Sequence, residues 1–418
     1  MSVPSYSQFV QLLRKSRLVD SQRLSELLEN EFETGDKQNV EQLAKRLIKL
    51  DWITPWHAKK LLAGKFKGFF LGKYRLLDHV GAGGMSNVYL AQHSRMNRLV
   101  AIKVLPPSRV SEPGYVERFR LEAKAAAQLH HPNIVRAYDV DAEGELHYLV
   151  MEYVRGINLH QLVKQNGPLE VKKAVDYARQ AALGLEHAHQ AGLVHRDVKP
   201  SNLLVTEQDA VKLLDLGLAF FPEKTQGPDG LAEGTRILLG TADYLAPEQA
   251  VDCYDVDSRA DIYSLGCTLF YLLSGHPPFA GGTFAQRIQK HQTDEPPDVA
   301  LYRPDCPPSV VQYCVRMLQK EPADRYQTMA EVADELEAWL ASQNNEPKRA
   351  AKETPSSIEG AVIVPASISE IRIKTPDSKA RPSHRPARVR RSWSVWLVIL
   401  ILTILCIVLM IVVFMANP

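Results

Sequence analysis

The stretch His195-Arg196-Asp197-Val198-Lys199-Pro200-Ser201-Asn202-Leu203-Leu204 decides how this chain is read. A carboxylate (Asp197), an ammonium (Lys199) and a carboxamide (Asn202) lie close together, and Pro200 stiffens the backbone between them. Phosphoryl transfer needs such an inventory: an acceptor for a hydroxyl proton, a cation for the moving phosphate and an amide oxygen for a metal ion. Downstream, Val211-Lys212-Leu213-Leu214-Asp215-Leu216-Gly217 is an apolar strand pattern ending in a carboxylate, which suits Asp215 to metal binding. A third block follows, Gly240-Thr241-Ala242-Asp243-Tyr244-Leu245-Ala246-Pro247-Glu248.

Upstream, Val80-Gly81-Ala82-Gly83-Gly84-Met85-Ser86-Asn87-Val88 follows a strand pattern running from Tyr74 to His79. Glycines let a backbone turn tightly and bring its N–H groups against phosphate oxygens. Taken alone, the stretch reads more simply as a glycine-rich hairpin. It is not a Walker loop, because no Gly-Lys-Ser/Thr follows. It is a poor dinucleotide fingerprint, because Val88-Tyr89-Leu90-Ala91 continues as a strand. Val100-Ala101-Ile102-Lys103 then places an ammonium on a neighbouring strand. Lys103 is either a solvated strand-end charge or a ligand for the same phosphates. In the second case it needs a carboxylate to hold it. The helical stretch from Val116 to Leu129 offers Glu117 and Glu122, and Phe119, Ala123, Ala126 and Leu129 put Glu122 beside a packed face. An exposed helical Glu is the plainer alternative.

In this order and spacing, the five blocks resemble the eukaryotic-type protein kinases, and most nearly the bacterial Hanks-type serine/threonine kinases. The resemblance covers Tyr74 to Leu340. It implies an α+β, two-lobed kinase fold with a small β-rich lobe and a helical large lobe. It further implies that the Val80–Ser86 loop (Val80, Gly81, Ala82, Gly83, Gly84, Met85, Ser86) covers the phosphates of ATP. Lys103 would bind the α- and β-phosphates and pair with Glu122. Asp197 would be the catalytic base and Lys199 would neutralise the γ-phosphate. Asn202 and Asp215 would hold Mg²⁺, with Mn²⁺ as an alternative. Val88, Ala101, Met151 and Leu204 would sandwich the adenine, with Glu152 to Val154 as the hinge. Asp261 would brace the His195-Arg196-Asp197 turn, and Arg325 would pair with Glu248. Lys199, two residues after Asp197, and Thr241 fit a serine or threonine acceptor in a protein substrate. Two departures are visible. Ser86 stands for the third glycine of the loop and still offers its backbone N–H. Leu216 stands for the Phe of Asp-Phe-Gly and keeps a large apolar side chain. Arg196 next to Asp197 marks the class regulated by phosphorylation of the segment before Glu248. Thr235 is the expected autophosphorylation site and Thr225 the second choice.

The rest of the 418 residues frames this core. Apolar residues make up 45% and charged residues 23%, which excludes a mostly disordered chain and a polytopic membrane protein. Formal net charge is +2, so no general polyanion-binding field exists and no nucleic-acid partner is expected. The five cysteines (Cys253, Cys267, Cys306, Cys314, Cys406) form no CxxC pair, which argues against a disulfide framework or structural zinc. Residues 1–70 carry apolar positions at helical spacing, with Asp20 and Thr54-Pro55 as helix starts. Two roles fit them: an adaptor for a protein partner, or a helical extension packed on the small lobe. Residues 343–391 are rich in Pro, Ser and charge and read as a flexible linker. Its end is basic, with Arg372, Lys374, Lys379, Arg381, Arg385, Arg388, Arg390 and Arg391 against Asp377. Then Val395 to Ala416 runs uncharged. As a helix it would be about 33 Å long, enough to cross a bilayer core of about 30 Å. The basic flank predicts a single-pass cell-membrane protein with residues 1–391 in the cytoplasm. Trp393 and Trp396 fit the interfacial belt. No signal-peptide pattern opens the chain, and Asn417 and Pro418 after the span suggest no external sensor domain.

Overall fold

In the computed structural model, the described residues are 4–33, 39–83, 86–106, 110–111, 114–215, 242–251 and 256–345. The chain divides into two compact units, Met1–Arg349 and Ala350–Pro418. All described residues fall in the first. The expected span, 395–416, and most of the linker therefore lie outside them, as do Thr225, Thr235 and Thr241. Among the described residues no helix is long and apolar enough to cross a membrane.

Among the described residues, the chain opens with the short helices α1 (Tyr6–Ser16), α2 (Ser21–Glu33), α3 (Val40–Lys49) and α4 (Pro55–Leu62). Each starts where a polar side chain accepts hydrogen bonds from the first free N–H groups. Ser5 accepts from Gln8 N, Asp20 from Gln22 N and Arg23 N, and Asn39 from Glu41 N and Gln42 N. Thr54 accepts from His57 N, while His57 Nδ1 accepts from Thr54 N at 3.0 Å, so the cap is closed from both sides. Pro55 at the first helical position costs nothing there, because that N–H has no partner in any helix. Phe9, Leu13, Leu24, Leu43, Leu47, Leu61 and Phe69 form the bundle's core.

The small lobe is a six-stranded antiparallel sheet in the order β1-β2-β3-β4-β6-β5. Its strands are β1 (Phe70–Leu71), β2 (Tyr74–Gly83), β3 (Ser86–His93), β4 (Leu99–Val104), β5 (Ala137–Glu143) and β6 (Leu146–Glu152). Side chains alternate between faces along a strand, which splits β4. Ala101 faces the helix α5 (Tyr115–Ala126), where Phe119 and Ala123 pack with Leu149 and Met151. Val100 and Ile102 face the other way, with Leu76, Ala91, Tyr148 and Val150. The bundle meets the lobe without a spacer: Phe69 belongs to the bundle core and Leu71 to the sheet.

The large lobe is built around α7 (Val171–Gln190), which follows α6 (Leu159–Asn166), and around α9 (Arg259–Ser274), which follows the short α8 (Pro247–Val251). In α9 nearly every residue is buried, so it carries no polar face and acts as a central post. Gly266 allows this: a Cβ there would stand 2.7 Å from Met317 Cβ. Against the post pack α10 (Phe284–Thr293), where His291 Nδ1 lies 2.8 Å from Tyr263 Oη, and α11 (Pro308–Met317), while α12 (Met329–Asn345) packs along α7. A small antiparallel sheet has the order β7 (Gly156–Asn158), β8 (Leu203–Thr206), β9 (Val211–Leu213), and Lys212 on β9 bonds Glu152 at the end of β6.

Candidate active site

The loop from His195 to Asn202 runs between α7 and β8 and is held at both ends. Asp261, on the buried post α9, accepts from the backbone N–H groups of His195 and Arg196, each at 2.8 Å. His189 Nε2 donates to the same carboxylate at 2.8 Å. Burial alone would raise the Asp261 pKa, but the hydrogen bond and charge of His189, with His195, hold it below the usual carboxylate range. This support matters because Arg196 sits at φ 63°, a left-handed backbone that a β-carbon disfavours. Gln249 Nε2 adds a third tie, donating to Arg196 O at 3.0 Å. At the other end, Leu214 N donates to Asn202 O at 2.9 Å, and His195 Nε2 donates to Leu214 O at 2.8 Å.

Within that frame three side chains converge. Lys199 Nζ lies 2.8 Å from Asp197 Oδ1 and 2.7 Å from Oδ2. Asn202 Nδ2 donates to Asp197 Oδ2 and to Asp197 O, both at 2.9 Å. The pair of bonds from Nδ2 fixes which way the Asn202 amide faces and directs its oxygen away from Asp197.

Above the loop, Lys103 Nζ stands 2.8 Å from Asp215 Oδ1. Lys103 is buried in the small lobe, and Asp215 lies two residues past β9 at φ 56°. Burial would raise the Asp215 pKa, but the charge and hydrogen bond of Lys103, with His195 and Lys199, hold it below the ordinary range, so Asp215 is ionised. The side chain of Glu122, the partner expected for Lys103, lies outside the described residues, although its backbone is part of α5. Asn202 and Asp215 thus supply one oriented amide oxygen and one carboxylate. This hard oxygen set fits a Mg²⁺ ion that takes its remaining ligands from phosphates and water.

The expected adenine residues are distributed over both lobes. Val88 pairs with Lys103 across β3 and β4, and Ala101 pairs with Met151 across β4 and β6. Leu204 lies opposite Lys212 in the small sheet. Glu152 ends β6, and its carboxylate holds Lys212 at 3.0 Å; Tyr153 and Val154 follow it. In the glycine-rich hairpin, Gly81 pairs with Val88, Ala82 with Asn87 and Gly83 with Ser86. Gly84 and Met85 lie outside the described residues, as do the side chains of Ala82 and Ser86.

Three supports had no signal in the motifs. His189 and Gln249 act on the loop through hydrogen bonds to Asp261 and to a carbonyl, and neither contact follows from local spacing. Lys212 bonds Glu152 across the two sheets, which only the packing of the lobes creates.

The protein kinase domain family matches residues 74–336. The chain belongs to that family. It is 40% identical over 268 residues to the serine/threonine-protein kinase PknB of Mycolicibacterium smegmatis, covering 63% of this chain and 42% of that protein. It is 37% identical over 294 residues to the serine/threonine-protein kinase PrkC of Bacillus subtilis, covering 70% of this chain and 44% of that protein. The chain thus spans less than half the length of these curated relatives. Among solved structures, a point variant of the Mycobacterium tuberculosis PknI kinase domain superposes with a TM-score of 0.52 at 30% identity, covering 66% of this chain and 98% of that one.

Proposed function

We propose that this chain is a serine/threonine protein kinase that moves the γ-phosphate of ATP to hydroxyl groups of protein substrates. The observation that carries the reading is the cluster of Asp197, Lys199 and Asn202 at 2.7–2.9 Å on a loop tied to Asp261. The names of the bacterial relatives support the same acceptor class.

In this reading, Asp197 orients the substrate hydroxyl and takes its proton as the oxygen attacks the γ-phosphorus. The bond from that phosphorus to the β,γ-bridging oxygen breaks, and ADP leaves with the electron pair. Lys199, already beside Asp197, offsets the negative charge of the moving group. Lys103 serves the α- and β-phosphates, which requires it to exchange its present contact with Asp215. Asn202 and Asp215 would hold Mg²⁺, whose charge neutralises the phosphate chain when bound. The loop from Val80 to Ser86 covers the phosphates, and Val88, Ala101, Met151 and Leu204 enclose the base.

Four regions divide the work: residues 1–70, the kinase domain at 74–340, the basic linker at 343–391 and a membrane helix at 395–416. The uncharged run and its basic flank support a cytoplasmic kinase tethered to the cell membrane. Arg196 supports control by phosphorylation before Glu248, at Thr235 or else Thr225.

The test is transfer of labelled phosphate from Mg-ATP to a generic basic protein, followed by identification of the modified residue type. Label on serine or threonine with wild-type chain, and none with Asp197→Asn, is the expected result. Equal labelling by both chains would overturn the reading.

A further inference from the structure

The N-terminal bundle reaches the nucleotide-covering hairpin through a specific set of contacts. Strand β2 has a register shift between Leu76 and Asp78, which pair with the adjacent residues Ala91 and Leu90, so the β3 register skips Leu77. On its other side β1 covers β2 only at Tyr74 and Arg75. The carbonyls of Leu76 and Leu77 face the bundle, and the cap of α4 takes both. Thr54 Oγ1 donates to Leu77 O, and His57 Nε2 donates to Leu76 O, each at 2.6 Å. Arg75 returns the contact by donating to Trp52 O.

An aromatic chain then runs from α4 to the loop. Trp56 packs against both the bundle core and the outer face of the sheet. Its ring meets Tyr89 edge-on at 6.1 Å, and Tyr89 meets His79 at 5.0 Å. His79 Nε2 lies 3.0 Å from Asn87 Oδ1, closing the chain across the two strands that carry the glycine-rich turn. Tyr89 and Val88 are neighbours on β3 and point to opposite faces, so displacing Tyr89 displaces Val88.

We propose that the bundle is a brace for the glycine-rich hairpin, with Trp56 and Tyr89 as positioning residues for nucleotide binding. This rests on the kinase reading. Removing the brace loosens the hairpin, which lowers affinity for ATP more than it slows transfer once ATP is bound.

The experiment uses the full chain with Trp56→Ala, Tyr89→Ala, Trp56→Phe and the double alanine variant. For either single alanine, KM for ATP is expected to rise about three- to ten-fold, the scale of one aromatic contact, with kcat within about two-fold. Trp56→Phe should recover toward wild type, and the double variant should show no further rise. Tyr89→Ala lies outside the bundle core and keeps the test valid if Trp56→Ala unfolds the bundle. Hydrogen exchange over residues 78–88 without nucleotide is the second readout and is expected to accelerate in both single alanine variants. Unchanged exchange with a folded bundle overturns the brace. So does an unchanged KM in an active enzyme. A wild-type chain without activity defeats the kinase reading instead, and the exchange result alone then decides the brace.

Discussion

Lys103 Nζ and Asp215 Oδ1 stand 2.8 Å apart, joining a strand of the small lobe to the residue two past the last strand of the small sheet. Each compensates a charge that phosphates or a cation would otherwise compensate. The two lobes are thus linked through the site itself.

Replacing Lys103 by Met removes the cation that holds Asp215 ionised and the proposed phosphate ligand together. Transfer is expected to fall by about 10²–10³-fold, the usual cost of losing one electrostatic ligand of a reacting group. Circular dichroism should show the fold retained. Transfer within a few-fold of wild type would remove Lys103 from the site.

Arg325 pairs with Glu248 through its two terminal nitrogens, Nη1 and Nη2, at 2.6 and 2.8 Å, and the guanidinium also donates to the carbonyls of Gln319, Arg259 and Lys320. Its side chain is fully buried. Arg325→Met leaves the half-buried Glu248 without its partner, which is expected to cost about 3 kcal/mol, the lower end for a broken buried pair. Denaturant unfolding measures this, and a change under about 1 kcal/mol, the scale of a surface pair, would contradict it.

His57 is buried and neutral. Burial lowers its pKa from 6.5 to about 4, against the pull of the Leu76 carbonyl; Arg75 lowers it further and Asp78 raises it. Above its ordinary pKa neither the folded nor the unfolded chain protonates it, and the full stability is present. As pH falls toward 4 the unfolded chain gains a proton that the folded one refuses, so stability falls, by about 3 kcal/mol over the whole window. His57→Gln keeps a side chain able to close the α4 cap. Its stability should decline less than that of wild type as pH falls from neutral toward the folded pKa of His57. Parallel pH profiles would show that His57 does not contribute.

Gly266 faces Met317 across the helix pair α9 and α11, with space for no further atom. Gly266→Ala must push a helix aside, at a cost of about 1–3 kcal/mol. Thermal unfolding would register it as a lower midpoint, and an unchanged midpoint would show that the lobe adjusts freely.

Much of this protein is legible from residue order alone. The motifs around Gly81, Lys103, Asp197 and Asp215 identify the family because phosphate chemistry demands those groups. Asp20 and Thr54-Pro55 mark helix starts because unsatisfied N–H groups at a helix end need a local acceptor. Contacts between distant segments are another matter. That Lys103 meets Asp215, that His189 steadies Asp261, and that the α4 cap takes the carbonyls of Leu76 and Leu77 depends on how helices and sheets pack. Local spacing carries no record of these meetings, because each is set by the burial of apolar faces elsewhere in the fold.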